Sequence, residues 1–148
     1  MRTLEQTQKL MASLFPGLMG VEIREAAQDK IVAGMLVRPD LCTAGNVCHG
    51  GALMAFADTI GAVGTIMNLP AGARTTTIES KTNFMAAAPV DTRVTAESVP
   101  LHRGRTTQVW QTTIRSEEGK LVAIVTQTQM VLPASGVRPS GSDTVVSS

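Results

Sequence analysis

The sequence predicts an α+β domain in which an antiparallel sheet curls around one long central helix, and three features carry that prediction. Residues 52–67 are almost uniformly apolar and rich in Ala and Gly, which reads as a helix wrapped by other elements rather than lying on a surface. Residues 75–86, 93–105, 106–115 and 121–132 are β-like runs rich in Thr, Val and Ile, following one another as a meander does. Ahead of the helix, apolar residues alternate through 21–37, a hairpin pattern.

Taken in order, Leu4, Leu10, Met11 and Leu14 recur at helical spacing, and Pro16-Gly17 is expected to end that amphipathic N-terminal helix. Val21 and Ile23, then Ile31, Ala33, Met35 and Val37, flank the polar Gln28-Asp29-Lys30 and make the first hairpin. Residues 38–51 contain Pro39, Asp40, Gly45, Asn46 and Gly50-Gly51, a loop with several positions able to take unusual backbone angles. In the long helix, Ala52, Ala55, Ala57, Gly61, Ala62 and Gly64 allow a sheet to approach closely, and Asn68 to Gly72 breaks it. Glu117-Glu118-Gly119-Lys120 is the turn between the last two strands. Residues 1–133 form a single domain, and 134–148, rich in Ser, Gly and Pro without periodicity, read as a disordered tail.

Composition excludes several classes. The chain has 148 residues, 43% of them hydrophobic, enough for one core of ordinary size. Thirteen Lys and Arg against 12 Asp and Glu leave a formal charge of +1, so no basic field exists for nucleic acid or an anionic membrane. With no Tyr, one Trp and three Phe, any ligand meets mostly aliphatic walls. Cys42 and Cys48 read as structural thiols, no signal-like N-terminus is evident, and a cytoplasmic location is the default expectation. The long apolar run contains Asp58 and is too short for a membrane span of ~20 residues.

The informative segment is Thr43-Ala44-Gly45-Asn46-Val47-Cys48-His49-Gly50-Gly51, running directly into the helix that carries Asp58. A helix start exposes unpaired N–H groups and positive dipole, so amides around Gly50-Gly51 can polarise a carbonyl and hold an oxyanion; a plain structural turn is the alternative. A carboxylate in mid-helix among apolar residues pays a desolvation penalty. Asp58 is therefore either a working acid–base group or a carboxylate satisfied by a cap or an arginine. Along one helix Gly50 and Asp58 lie roughly 12 Å apart at ~1.5 Å per residue, too far to grip one carbon, and a second subunit would resolve this. Cys42, Cys48, His49 and His102 lack the paired spacing of a zinc site.

His49-Gly50-Gly51 with Asp58 nine residues after the histidine resembles the hot-dog-fold thioesterases, in their phenylacetate-pathway (PaaI-like) branch. Thr75-Thr76-Thr77-Ile78-Glu79 and the Phe84-Met85-Ala86-Ala87-Ala88-Pro89-Val90 strand end resemble the same family, and the likeness runs from about Met19 to Leu132. The resemblance implies a cofactor-free acyl-CoA thioesterase, a homodimer whose sheets join into one, usually paired again into a tetramer, with sites across the interface. It implies Asp58 as general base or nucleophile, the Gly50 amide on the thioester carbonyl, His49 ordering the loop, and Thr77 positioning water or the carboxylate. The chain departs from the family at Thr43, where many relatives carry Asn or Gln, and Asn46 or Thr43 is the candidate replacement. Arg103 and Arg105, in a turn similar to the family's, are preferred over Lys81 and Arg74 as partners of CoA phosphates. Leu53, Met54, Phe56, Ile60 and Met85 are expected to line a medium-chain or aryl acyl pocket. A non-catalytic acyl-CoA or acyl-carrier-protein binding module of the same fold is the alternative. A hydratase is disfavoured because no histidine follows Asp58 on its helix.

Overall fold

Small residues on the long helix set how closely the sheet can pack, and the computed structural model, which describes residues 2–135, shows the consequence directly. The chain runs α1 (Leu4–Ala12), α2 (Phe15–Met19), β1 (Glu22–Ala26), β2 (Ile31–Leu36), a 3-10 turn (Pro39–Leu41), α3 (Gly50–Ile66), β3 (Arg74–Phe84), β4 (Arg93–Arg103), β5 (Thr107–Ser116) and β6 (Leu121–Leu132). The six strands form one antiparallel sheet in the order β1-β2-β4-β5-β6-β3, curled around α3. The stretch read as a disordered tail lies, from residue 136 on, outside the described residues.

Leu53, Phe56, Ala57, Ile60, Val63 and Gly64 form the buried stripe of α3, at the i, i+3, i+4, i+7 spacing of a helix face. They meet Ile31, Ala33, Met35, Val94, Ala96, Ile114, Val122, Ala123 and Val125 from the strands. A Cβ on Gly64 would sit 2.7 Å from the ring of the fully buried Trp110. Gly64→Ala gains about 1 kcal/mol in helix propensity, but at so short a contact it overpacks a rigid indole at about 2–3 kcal/mol, the upper part of the usual range. The expected net result is a Tm lower by roughly 2–8 °C in thermal unfolding followed by circular dichroism; an unchanged or higher Tm would show that the indole yields.

One sequence expectation is corrected at the N-terminus. Pro16-Gly17 does not simply end a helix: α1 stops at Ala12 with Ser13 as its C-cap, and Pro16 stands in the first turn of α2. Proline is tolerated there because the first-turn N–H groups have no intrahelical acceptor. Gly20, at φ 78°, then ends α2 in the left-handed region. α1 also covers an edge of the sheet. The Gln8 amide donates to the Val21 carbonyl at 3.0 Å and accepts the Ile23 N–H at 2.8 Å, occupying backbone groups beside β1. At the opposite edge, β3 pairs only with β6 among the described residues.

Candidate active site

α3 begins two residues earlier than its apolar run suggests, because His49 caps it. Its Nδ1 accepts the Gly51 N–H at 2.8 Å, the role Ser or Asp usually fills, and its own N–H donates to the Leu41 carbonyl at 2.8 Å. Nδ1 must be unprotonated to accept, so the proton of the neutral ring sits on Nε2. The Gly51 amide is thereby engaged inside the chain, whereas the Gly50 N–H meets no acceptor among the described residues. Gly50 is needed for close approach: a Cβ there would lie 2.9 Å from the tip of the Phe84 ring.

The loop ahead of α3 is clipped in place by backbone bonds. Cys42 pairs with Cys48 and Val47 with Pro89 as isolated bridges, the Cys48 N–H donates to the Ala88 carbonyl at 2.8 Å, and the Val90 N–H donates to the Asn46 carbonyl at 2.9 Å. The Thr43 hydroxyl accepts the Gly45 N–H at 3.3 Å and donates to the Val47 carbonyl at 3.4 Å, so it serves the loop's own turn. Asn46 holds the exposed turn at φ 56°, a left-handed position that Asn tolerates.

Asp58 lies one helical stripe away from the core residues, half-buried, and faces β3 and β6. Its Oδ1 accepts the Thr77 hydroxyl at 2.6 Å and the Gln127 side-chain amide at 3.2 Å. The same Gln127 nitrogen lies 3.3 Å from the Asp58 carbonyl. Gln129 donates to the Thr77 oxygen at 2.7 Å and accepts the Thr75 hydroxyl at 2.9 Å, closing a chain Thr75–Gln129–Thr77–Asp58–Gln127. Because Gln129 donates into Thr77, the Thr77 proton is directed at the carboxylate. Oδ2 of Asp58 accepts no hydrogen bond among the described residues. Gly61 makes room for this network, since a Cβ there would overlap the Gln127 amide.

Gln127 and Gln129 are the polar residues that sequence reasoning missed. The inward register of β6 runs Ala123, Val125, Gln127, Gln129, all buried, so strict alternation places two glutamines on the core face. Two amides at inward positions need a polar partner, and that demand was the available signal.

Residues 45–123 match the thioesterase superfamily. The chain belongs to that superfamily. Thioesterase HI1161 from Haemophilus influenzae has a structure similar to it at TM-score 0.84 and 32% identity, over 89% of this chain and 92% of the other. The phenylacetic acid degradation protein PaaI from Thermus thermophilus, solved as a variant, is similar at TM-score 0.72 and 27% identity, over 78% and 96%. A hypothetical thioesterase from Streptococcus pneumoniae, solved with coenzyme A, is similar at TM-score 0.69 and 28% identity, over 75% and 87%. The hot-dog fold and the thioester-hydrolase class expected from the sequence are both borne out.

In this thioesterase the remaining candidates do not converge on α3's first turn. Arg103 donates to the Gln28 carbonyl at 3.2 Å and approaches Asn68 Oδ1 at 3.5 Å, tying β4 to the C-terminal end of α3. Arg105 is exposed in the β4–β5 turn, Lys81 bonds Asn83 at 3.0 Å on β3, and Arg74 is exposed where β3 begins. The expected pocket lining needs correction: Phe56 and Ile60 are fully buried in the core, because they fall on the inward stripe of α3. Two open cavities do flank the helix start. One of about 410 Å³ lies among Phe15, Leu18, Leu41, His49, Gly51 and Ala52. The other, about 490 Å³, lies among Gly50, Leu53, Phe84, Met85 and Ala88. Among the described residues no three His, Cys, Asp or Glu side chains come together to hold a metal, and no helix is long and apolar enough to cross a membrane.

Burial pushes the buried Cys48 thiol up to about 11. Since the raised value disfavours the thiolate, Cys48 stays protonated through neutral and mildly alkaline pH. Iodoacetamide at pH 8 is therefore expected to label the half-buried Cys42 and leave Cys48 unmodified until the chain is denatured, as read by peptide mass mapping. Equal labelling of both in the native protein would contradict this.

Proposed function

We propose that this thioesterase hydrolyses a medium-chain or aryl acyl-CoA to the free acid and CoA, with Asp58 as general base or nucleophile and the Gly50 N–H as oxyanion donor. The observation that carries the reading is the one-sided hold on Asp58. Oδ1 is anchored by Thr77 and Gln127, while Oδ2 is left to take a proton from water or to attack the carbonyl itself. The Gly50 N–H, at the positive end of α3, supplies a donor for the charge that develops on the thioester oxygen. Collapse of the tetrahedral species then expels the CoA thiolate. His49 acts by holding the first turn through Nδ1, and Gly51 by receiving that bond.

Eight helical rises separate Gly50 from Asp58, roughly 12 Å, so one chain's pair cannot meet at one carbon. The proposed assembly is a homodimer in which the β3 edges of two chains pair, bringing one chain's Asp58 to the other's Gly50, with a dimer of dimers above it. Supporting it, β1 is partly covered by Gln8 while β3, 11 residues long with exposed Ile78 and Phe84, has an edge that no other strand covers among the described residues. Exposed Arg105, and Arg103 if released from Gln28, are the proposed phosphate partners; Thr43 and Asn46 are proposed to shape the substrate side of the loop. The cavities beside the helix start have room for either acyl class.

Release of free CoA thiol, measured across short, medium, long-chain and aryl acyl-CoAs with light scattering of the same sample, tests the proposal. Turnover on a medium-chain or aryl substrate by a dimer or tetramer is expected. Tight acyl-CoA binding with no turnover on any substrate would point instead to the non-catalytic binding module.

A further inference from the structure

Cys42 and Cys48 face each other across the short antiparallel bridge that closes the loop ahead of α3. The backbone bonds on either side define their register: the Thr43 N–H donates to the Val47 carbonyl at 2.9 Å and the His49 N–H to the Leu41 carbonyl at 2.8 Å. The cysteines therefore occupy a non-hydrogen-bonded pair, in which opposed Cα atoms are about 4.5 Å apart and side chains leave on one face. Disulfides span Cα separations of about 4.4–6.8 Å, most often about 5.5–6 Å, so this pairing is close enough to bridge yet tighter than the relaxed spacing, and closing the bond pushes the two short strands apart. Both thiols are free, Cys48 belongs to the core cluster and Cys42 packs against it. Each sulfur now points at a carbonyl, Cys42 towards Arg38 at 3.3 Å and Cys48 towards His49 at 3.7 Å, so side-chain rotation about χ1 brings them within reach before the strands spread to admit the bond. The reading of both as structural thiols accounts for the burial of Cys48 but not for a second, half-buried thiol directly opposite it.

We propose that Cys42 and Cys48 are a covalent modification site, a dithiol that hydrogen peroxide converts into an intramolecular disulfide, displacing the first turn of α3. The Cys42 thiolate attacks a peroxide oxygen, the O–O bond breaks, and the departing hydroxide is protonated to water, leaving Cys42 as a sulfenic acid. The Cys48 sulfur then attacks the Cys42 sulfur, the S–O bond breaks, and the leaving hydroxide takes the Cys48 proton as a second water. Two thiols lose two electrons in total and the peroxide gains them. Cys42 goes first because it is half-buried, whereas Cys48 is 7% exposed. The burial that keeps the Cys48 thiol protonated acts in the same direction.

The bond would draw the Cys48 sulfur out of the core and away from the His49 carbonyl, which accepts the Ala52 and Leu53 N–H groups of the first α3 turn. His49 and Gly50 follow Cys48 immediately, so an outward shift of the Cys48 backbone carries the cap and the Gly50 amide with it. Only the effect on turnover rests on the function proposed above; the oxidation and the displacement of the turn do not.

The test treats the whole wild-type chain with hydrogen peroxide, then reads intact mass, free thiols, a non-reducing gel and amide hydrogen exchange over residues 49–53. Expected are a loss of about 2 Da per chain with both free thiols consumed and no cross-linked chains, reversed by dithiothreitol. Exchange at Gly51 should rise about tenfold or more, and turnover fall about tenfold or more, as a displaced site requires. Cys42→Ser and Cys42→Ala should show neither change on peroxide treatment. Two intact thiols, disulfides between chains, or only sulfinic and sulfonic acids would overturn the site. An internal disulfide with unchanged exchange would overturn its coupling to the helix start, whether or not the chain turns over any acyl-CoA.

Discussion

Asp58→Asn is expected to lower kcat on the preferred acyl-CoA by about 10²–10⁴, the span of a positioned acid–base group, with KM changed less than about threefold. Asparagine has nearly the same shape and its Oδ1 can still accept the Thr77 hydroxyl, which lies 2.6 Å from Asp58 Oδ1. What it lacks is a basic oxygen in the place of Oδ2. The variant therefore separates chemistry from packing: Tm and oligomeric state should stay near wild type while turnover collapses. Asp58→Ala should be equally inactive. A Asp58→Asn protein that keeps more than about a tenth of wild-type kcat would remove Asp58 from the chemical step, since a positioned base is worth at least ~10².

Thr77→Val is expected to have the next largest effect, and on two observables at once. Valine keeps the volume but deletes a hydroxyl that donates to Asp58 at 2.6 Å and accepts from Gln129 at 2.7 Å. Gln129 is fully buried, so its amide would lose a partner in a place water does not replace. The stability cost should be about 1–3 kcal/mol, the usual penalty for an orphaned buried group. With Oδ1 released from one of its two anchors, the carboxylate can turn, and kcat should fall by about 10–100-fold, the cost of a misplaced reacting group. Thr77→Ser restores the hydroxyl and should recover both kcat and Tm to near wild type. Stability lost in Thr77→Val with kcat unchanged would reduce Thr77 to a packing residue.

Much of this molecule is legible in local patterns, because those patterns follow from local physics. The apolar run of α3, the alternation through β2, the β-like run of β6 and the Glu117–Lys120 turn all fall where periodicity, composition and turn chemistry put them. The start of α3 was less legible, since histidine is not a usual cap and only its ring nitrogen on Gly51 places Gly50 inside the helix. The expected acyl-pocket lining departs from the structure at Phe56 and Ile60 for a similar reason. Periodicity says which residues share a face, but not which face meets the sheet.

By itself the sequence determined the α+β class, the order of the long helix and the six strands, and the pairing of a glycine-rich helix start with a mid-helix carboxylate. Each follows from spacing along the chain and from the cost of burying charge without use. Only the tertiary structure decided that Thr77 and Gln127, far from Asp58 in sequence, converge on one of its oxygens with Gln129 behind Thr77, and that the Gly50 N–H meets no acceptor among the described residues while Gly51's is taken. The sheet order brings β3 and β6 side by side under α3, and a hydrogen bond is decided by angles and ångströms that such long-range pairing alone sets.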